Sequence, residues 1–318
     1  MTVLDIGTAR LLGRWPDGSP EWHAARDNRI GGSTIAAILG ISPWESQFSV
    51  WCRMAGLVDG DEQTAAQARG HYLEGGIRAW YADQHPQLQV RHGGTYVHAD
   101  PARSWQLANP DGLVYDGDRL VRGAEFKTDA DGSHWGRPGT DEVPLYYRTQ
   151  VLWYMDVFGL PEWDLVVLDG RLNFRSYTVR YDADDAEWIR SRAESFMTAL
   201  LWNEMPELDH HPATYETVRK LHPDIDKDEH LVLPDELAIE FIEAAKDVER
   251  ATQREQAARA AVLDAMGNAY RAWWNGHKLA RRQAKKGGTP YLMAEQYLTS
   301  IPTPTRPAAA VEPEGVAA

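Results

Sequence analysis

The chain contains a single cysteine, Cys52, in 318 residues. One thiol excludes an intrachain disulfide and any four-cysteine zinc or iron–sulfur site, and it suits a reducing, cytoplasmic setting. No apolar run approaches the roughly 20 residues that a membrane span requires, so no membrane partner is expected. The first residues, MTVLDIGTARLLGRW, lack a basic segment followed by a sustained apolar core, and no secretory signal is expected. Positive charge is scarce: 33 Lys and Arg stand against 47 Asp and Glu, a net charge of −14. That balance disfavours a nonspecific nucleic-acid coat protein, whose affinity comes from phosphate contacts. It leaves room for a DNA-processing site, because carboxylates that bind a cation add negative charge locally. No internal repeat is present.

What is abundant is apolar and aromatic. The chain is 43% hydrophobic with 13 tryptophans, enough to build one large domain or two ordinary ones. Residues 1–20 read as a loose lead-in. In RIGGSTIAAILG, Ser33 is a candidate N-cap for a helix carrying Ile35, Ile38 and Leu39, with Gly40 as its stop. A second helix begins in SPWESQFSVWCRMAGL. A third spans 64–85, with Leu73, Ile77 and Trp80 on one face. Period-two patterning follows: LQVRHGGTYVHA, WQLANPDGLVYDG and DRLVRGAEFKT read as three strands, the last two joined by a hairpin at Gly117-Asp118. PLYYRTQVLWYMDVFG is helical, with Leu152, Met155, Val157 and Phe158 for the core. EWDLVVLDG and NFRSYTVRY form a hairpin, and a helix closes the unit near 206. This order specifies an α/β (α+β) core with a mixed sheet.

The rest divides by composition. A main domain covers 1–206, and 207–233, rich in His, Pro and Asp, reads as a linker with little structure of its own. Residues 234–300 hold a long helix, with Leu237, Phe241, Val248 and Val262 on a stripe that needs a partner surface, and a hairpin turning at Asn275-Gly276. Residues 265–294 carry six Lys or Arg and no acid. Residues 301–318, with four prolines and no aromatic, are expected to be disordered.

Chemistry concentrates in LVRGAEFKTD. On a strand Glu125 and Lys127 share a face, with Ala124 and Phe126 on the other. Taken alone, the pair reads equally as a surface ion pair worth about 0–1 kcal/mol. Asp111 opens the partner strand. With Gly117-Asp118 as a two-residue loop, an even ladder places Asp111 opposite Ala124, beside Glu125. Two close carboxylates repel unless a proton or cation separates them, and oxygen ligands of this kind suit Mg²⁺ or Mn²⁺. Lys127 shares the Glu125 face and can touch a water activated by such an ion. Gln150 and Tyr154 lie four apart on one helical face, and Glu74 sits in the HYLEGG helix. Plainer readings exist: Asp111 as a turn starter, Glu74 and Arg26 as solvated charges, Tyr154 as packing. The His210-His211 pair is a weak metal signal. Trp273 and Trp274, neighbours on a strand, offer one ring for stacking on bases and one for the core.

Together, Glu74, Asp111, Glu125-Phe126-Lys127 and Gln150 with Tyr154 resemble the PD-(D/E)xK nuclease pattern. RIGGSTIAAILGISPW, LANPDGLV, AEFKT and VPLYYRTQVLWYMDVFG are similar, over about residues 20–200, to the YqaJ-like viral recombinases, the lambda-type phage exonucleases. The long helix and basic hairpin resemble the C-terminal portion of some phage members. The resemblance implies a PD-(D/E)xK core of mixed sheet flanked by helices, and hydrolysis of linear double-stranded DNA from its 5′ ends to leave 3′ single strands for recombination. It implies metal ligands at Asp111 and Glu125, with Glu74 contributing and the Phe126 carbonyl completing the shell around Mg²⁺, for which Mn²⁺ can substitute. Lys127 would orient or activate the attacking water, and Gln150 would position water or substrate. Arg26 and Ser33 match positions that hold the DNA 5′-phosphate. A homo-oligomeric ring (trimer or tetramer), a single-strand annealing partner and the cytoplasm of a bacterial host are implied as well. Thr34 stands where relatives often carry Asp, and Asn109 where Ser often lies. Another endonuclease or repair nuclease of this fold would keep the metal site without needing Arg26 and Ser33. A catalytically inactive DNA-end-binding protein would not need Asp111, Glu125 and Lys127 together.

Overall fold

Local sequence sets the elements in this order. In the computed structural model, which describes residues 5–60, 64–132 and 134–304, strands β1 (Asp5–Ile6) and β2 (Ala9–Gly13) precede helix α1 (Pro20–Arg26). Strand β3 (Ile30–Gly31) runs into α2 (Gly32–Ile38), α3 (Gln47–Met54) and α4 (Ala65–Gln84). Strands β4 (Gln89–His92), β5 (Thr95–His98), β6 (Gln106–Ala108), β7 (Gly112–Asp116) and β8 (Arg119–Asp129) lead to α5 (Leu145–Phe158). Strands β9 (Glu162–Asp169) and β10 (Phe174–Arg180), then α6 (Ala183–Leu201) and α7 (Pro212–Leu221), complete a compact unit that ends at Ile225. A second unit, from Asp226, contains α8 (Asp235–Met266), β11 (Arg271–Trp274), β12 (His277–Gln283) and β13 (Tyr291–Ala294).

The expected mixed sheet is present, in the order β10-β9-β8-β7-β4, with β8 and β9 parallel and the other pairs antiparallel. Side-chain alternation gives β8 two different faces. Ala124 and Phe126 pack with Val114, Val166, Ile77 and Tyr81, which places α4 on that side. Leu113, Leu165 and Val167 pack with Val151, Leu152 and Met155 of α5 on the other. The α5 positions expected in the core, Leu152, Met155, Val157 and Phe158, are all essentially inaccessible.

Several local expectations are corrected by contacts distant in sequence. The lead-in is a strand pair: β2 joins β5 in a second sheet, β1-β2-β5-β6-β3, anchored where the Thr8 hydroxyl donates to the Val157 carbonyl at 2.8 Å. The three strands read from 88 to 128 are five, shared between the two sheets. The chain crosses from one sheet to the other at Gly93-Gly94 and again at 109–111. Gly93 is required there, because a Cβ would lie 1.8 Å from the Pro110 carbonyl oxygen. Ser33 does not cap α2; Gly31 holds the N-cap position and Ser33 is exposed inside the first turn. On α4, Ile77 is buried as expected, but Tyr81 rather than Leu73 accompanies it.

The supposed linker contains α7. His211 caps it, Nδ1 accepting from the Ala213 amide at 3.0 Å, and Nε2 then donates to the Ser42 carbonyl at 3.1 Å. The His210-His211 pair is therefore half a helix cap, and its spacing carries no metal meaning. In the second unit the Asn275-Gly276 turn forms with both residues at positive φ, but a third strand, β13, extends the hairpin to a small sheet. Val262, Leu263 and Met266 of α8 pack on Ala280 and Leu292. Leu237, Phe241 and Val248 are exposed, and no element of that unit covers them. Trp273 faces solvent while Trp274 is half-buried. The tail expected to be disordered lies, from residue 305, outside the described residues. Among the described residues no helix is long and apolar enough to cross a membrane.

Candidate active site

The site forms where the chain returns from the second sheet into the mixed one. The hairpin turns at Gly117-Asp118, pairing Asp116 with Arg119 and Tyr115 with Leu120. Val114 then pairs with Arg122, so Val121 is an extra residue on β8, a β-bulge. Beyond it Gly112 faces Ala124, one step later than an even ladder gives. The shift carries Asp111 level with Glu125 rather than with Ala124. Asp111 Oδ2 accepts the Phe126 amide at 2.7 Å, which ties the carboxylate to the strand holding Glu125 and Lys127.

Glu125 is buried, with 2% of its surface exposed. Its Oε1 accepts from Lys127 Nζ at 2.8 Å and from Gln150 Nε2 at 2.6 Å. Its Oε2 is buried without a hydrogen-bond partner; the nearby Asp111 amide favours the carboxylate charge without closing a bond of good geometry. Burial raises the Glu125 pKa, and Lys127 opposes the rise. Asp111 keeps some exposed area, yet desolvation followed by the Glu125 charge pushes its carboxyl well above the ordinary range. Burial alone would lower the Lys127 pKa, but Glu125 and Asp111 more than offset it and hold the ammonium protonated. The Tyr147 ring, centred 5.0 Å from Nζ, covers the same ammonium.

A hydrogen-bond chain joins this centre to Arg26. Gln150 Nε2 also donates to the Tyr154 hydroxyl at 3.2 Å, and that hydroxyl donates to the Asn109 carbonyl at 3.2 Å. Two acceptors on one side orient the Gln150 amide. Arg26 Nη1 donates to Asn109 Oδ1 at 2.9 Å, and Asn109 Nδ2 donates to Thr95 Oγ1 at 2.7 Å. The guanidinium lies 4.2 Å over the Trp22 ring, and burial lowers its pKa. Tyr154 is thus both packing and a polar bridge, and Asn109, standing where Ser often lies, braces Arg26. Thr95, Trp22 and Tyr147 were not foreseen. Of these only Tyr147 left a signal, three residues before Gln150 and hence on its helical face.

Glu74 belongs to α4, packed on the opposite sheet face. Its charge raises the pKa of both Asp111 and Glu125. Among the described residues, however, no three His, Cys, Asp or Glu side chains are grouped to hold a metal ion. The donor set is therefore two carboxylates rather than three. It still fits a hard divalent cation, which binds through one or two carboxylates and keeps several waters. The unpartnered Oε2 and the mutual repulsion of the carboxyls are what such an ion would relieve.

Residues 21–161 match the model of the YqaJ-like viral recombinase domain. Over that segment the chain is similar to the YqaJ-like viral recombinases. All the residues just described, from Trp22 to Tyr154, lie inside that match. A curated relative, the uncharacterized protein YqaJ of Bacillus subtilis strain 168, is 25% identical over 218 residues, 67% of this chain; the alignment spans 66% of that protein, just under two thirds of its length. Among solved structures, the alkaline exonuclease LHK-Exo of Laribacter hongkongensis is 23% identical with a TM-score of 0.47, over 58% of this chain and 94% of that one. A phage-related exonuclease from Haemophilus somnus 129PT is 15% identical with a TM-score of 0.43, over 56% and 96%.

Proposed function

We propose that the YqaJ-like domain is a divalent-metal-dependent deoxyribonuclease that hydrolyses linear duplex DNA from its 5′ ends and leaves 3′ single strands for recombination. The observation that carries the reading is the pair Asp111 and Glu125, held together by the bulge, with one buried carboxylate oxygen unpartnered and a protonated lysine 2.8 Å from the other. The viral recombinase family of the domain agrees with it. Asp111, Glu125 and the Phe126 carbonyl would hold Mg²⁺ or Mn²⁺, with Glu74 adding charge from α4. Bound there, the ion would polarise the phosphoryl group and lower the pKa of a water.

The chain's own residues have separate tasks. Gln150 and Lys127 both bind Oε1, which leaves Oε2 for the ion. Lys127, 2.8 Å from Glu125 Oε1, would orient or activate the attacking water and stabilise developing negative charge. Arg26, whose partner is a neutral amide rather than a carboxylate, keeps its charge available for a 5′-phosphate. Ser33, exposed in the first turn of α2, adds a hydroxyl. The partners of this reading are DNA ends, further copies of the chain in a ring and a single-strand annealing protein.

The test is digestion of linear duplex carrying 5′-phosphate or 5′-hydroxyl ends, beside a covalently closed circle, in Mg²⁺. Wild type should digest the phosphorylated ends faster and spare the circle, and Arg26→Ala should erase most of the preference. Ready cutting of circles would favour an endonuclease of this fold. Digestion by Glu125→Ala at the wild-type rate would show the site assignment to be wrong.

A further inference from the structure

We infer that Trp44 stacks on a base of the DNA strand held in the active site, within the first few nucleotides of the scissile phosphate. The inference deepens the nuclease reading and rests on it for the class of ligand. Unlike the buried Trp51, Trp153 and Trp163 of the same unit, and like the exposed Trp188 and Trp202, Trp44 leaves 61% of its surface in water. It does so on a braced loop. Ser42 Oγ accepts the Trp44 amide at 3.1 Å and the Glu45 amide at 3.2 Å. The Ser42 carbonyl accepts from His211 at 3.1 Å, and Ser46, which caps α3, accepts from Thr214 Oγ1 at 2.7 Å. Helix α7 thus holds the loop at both ends, and the exposed indole is presented, not left to move freely.

Its position relates it to the catalytic centre. The indole meets Tyr146 edge to face, with ring centres 5.0 Å apart, and lies 6.1 Å from the Tyr147 ring. Tyr147 in turn covers Lys127 Nζ at 5.0 Å. Two short steps therefore separate the indole from the lysine beside Glu125. Successive nucleotides of a strand rise by about 3.4 Å, so a strand placed for cleavage would pass the indole within a few nucleotides. A rigid, solvent-facing aromatic at that distance suits a base face, since stacking requires no hydrogen-bond pattern and tolerates every sequence.

The experiment measures binding apart from cleavage. Wild type, Trp44→Ala and Trp44→Phe are titrated in EDTA against labelled duplexes whose terminal nucleotides are intact or abasic, and cleavage of the same duplexes is followed in Mg²⁺. On intact DNA, Trp44→Ala should weaken binding by about five- to a hundredfold. Abasic ends should weaken wild type similarly but cost Trp44→Ala little more. Trp44→Phe should recover most of the loss. Equal penalties for Trp44→Ala on intact and abasic DNA, or none on either, would overturn the inference; a changed sedimentation coefficient with no change in DNA binding would also overturn it and assign the ring to contact between copies. Wild type that binds DNA with the expected base dependence but never cleaves would sink the nuclease reading and leave the stacking role standing.

Discussion

At the scale of single residues, Asp111 and Glu125 are costly to the fold. Burial, and at Asp111 the neighbouring Glu125 charge, raises the carboxyl pKa values, so in the cation-free protein ionisation is resisted. A group whose folded pKa exceeds its unfolded value stabilises the fold below the unfolded value, near 4 for a carboxyl, and loses that contribution as pH rises through the folded one. Thermal unfolding in EDTA should therefore show wild type losing stability as pH rises from about 4 towards neutrality. Asp111→Asn, which keeps an oxygen for the Phe126 amide, should flatten that loss and melt higher than wild type at pH 7, by about 2–4 °C for each kcal/mol relieved. Added Mg²⁺ should reverse the order by stabilising wild type alone. Parallel melting curves for the two proteins across pH, with and without Mg²⁺, would count against the coupled pair. Lys127→Ala should abolish cleavage, since it removes the donor at 2.8 Å from Glu125.

At the scale of elements, the bulge in β8 is what turns two ordinary carboxylates into a site. Were Val121 paired regularly with Val114, the even ladder would put Asp111 opposite Ala124, although every proposed catalytic residue would still be in the chain. Helix α4 is held to the sheet by a buried polar cluster: Asp164 accepts from the Tyr81 hydroxyl, from Arg122 at 3.2 Å and from Thr178 at 2.7 Å. Tyr81→Phe removes one of three partners and should cost about 1–2 kcal/mol in denaturant unfolding. A change below about 0.3 kcal/mol would show that packing alone seats α4.

At the scale of the molecule, the proposed chemistry and the basic sheet fall in different units. The first unit holds the carboxylates, Lys127 and Arg26; the second holds a basic three-stranded sheet on the end of a long helix. Lys285 and Lys286 are exposed and lie far along the chain from any proposed catalytic residue. If they meet DNA phosphates, neutralising both should lower the slope of log affinity against log salt by about 0.9 for each phosphate that is no longer neutralised, with the chemistry unaffected. Binding isotherms at several salt concentrations would test this, and an unchanged slope would leave that sheet to partners other than DNA. The exposed Leu237, Phe241 and Val248 lie about 20–40 Å from Val262 along a helix rising 1.5 Å per residue, beyond the reach of their own sheet.

What the sequence determined by itself is local in origin. The Glu125–Lys127 face follows from strand alternation, the Gln150–Tyr154 pairing from helical spacing, and the turns at Gly117-Asp118 and Asn275-Gly276 from residue type; all four appear in the structure. Asp111 was legible as a neighbour of Glu125, but its register was wrong by one, because nothing in the sequence around Val121 marks a bulge. Ser33 read as a cap because its type suits that position, yet pairing of Ile30 and Gly31 with β6 starts the helix earlier. Only the tertiary structure decided the division of the strands between two sheets, the bracing of Arg26 by Asn109 across 83 positions, and the docking of His211 on Ser42 across 169. Periodicity and turn chemistry are set by neighbours a few residues apart, whereas these contacts depend on which buried polar group finds a partner once the core has closed.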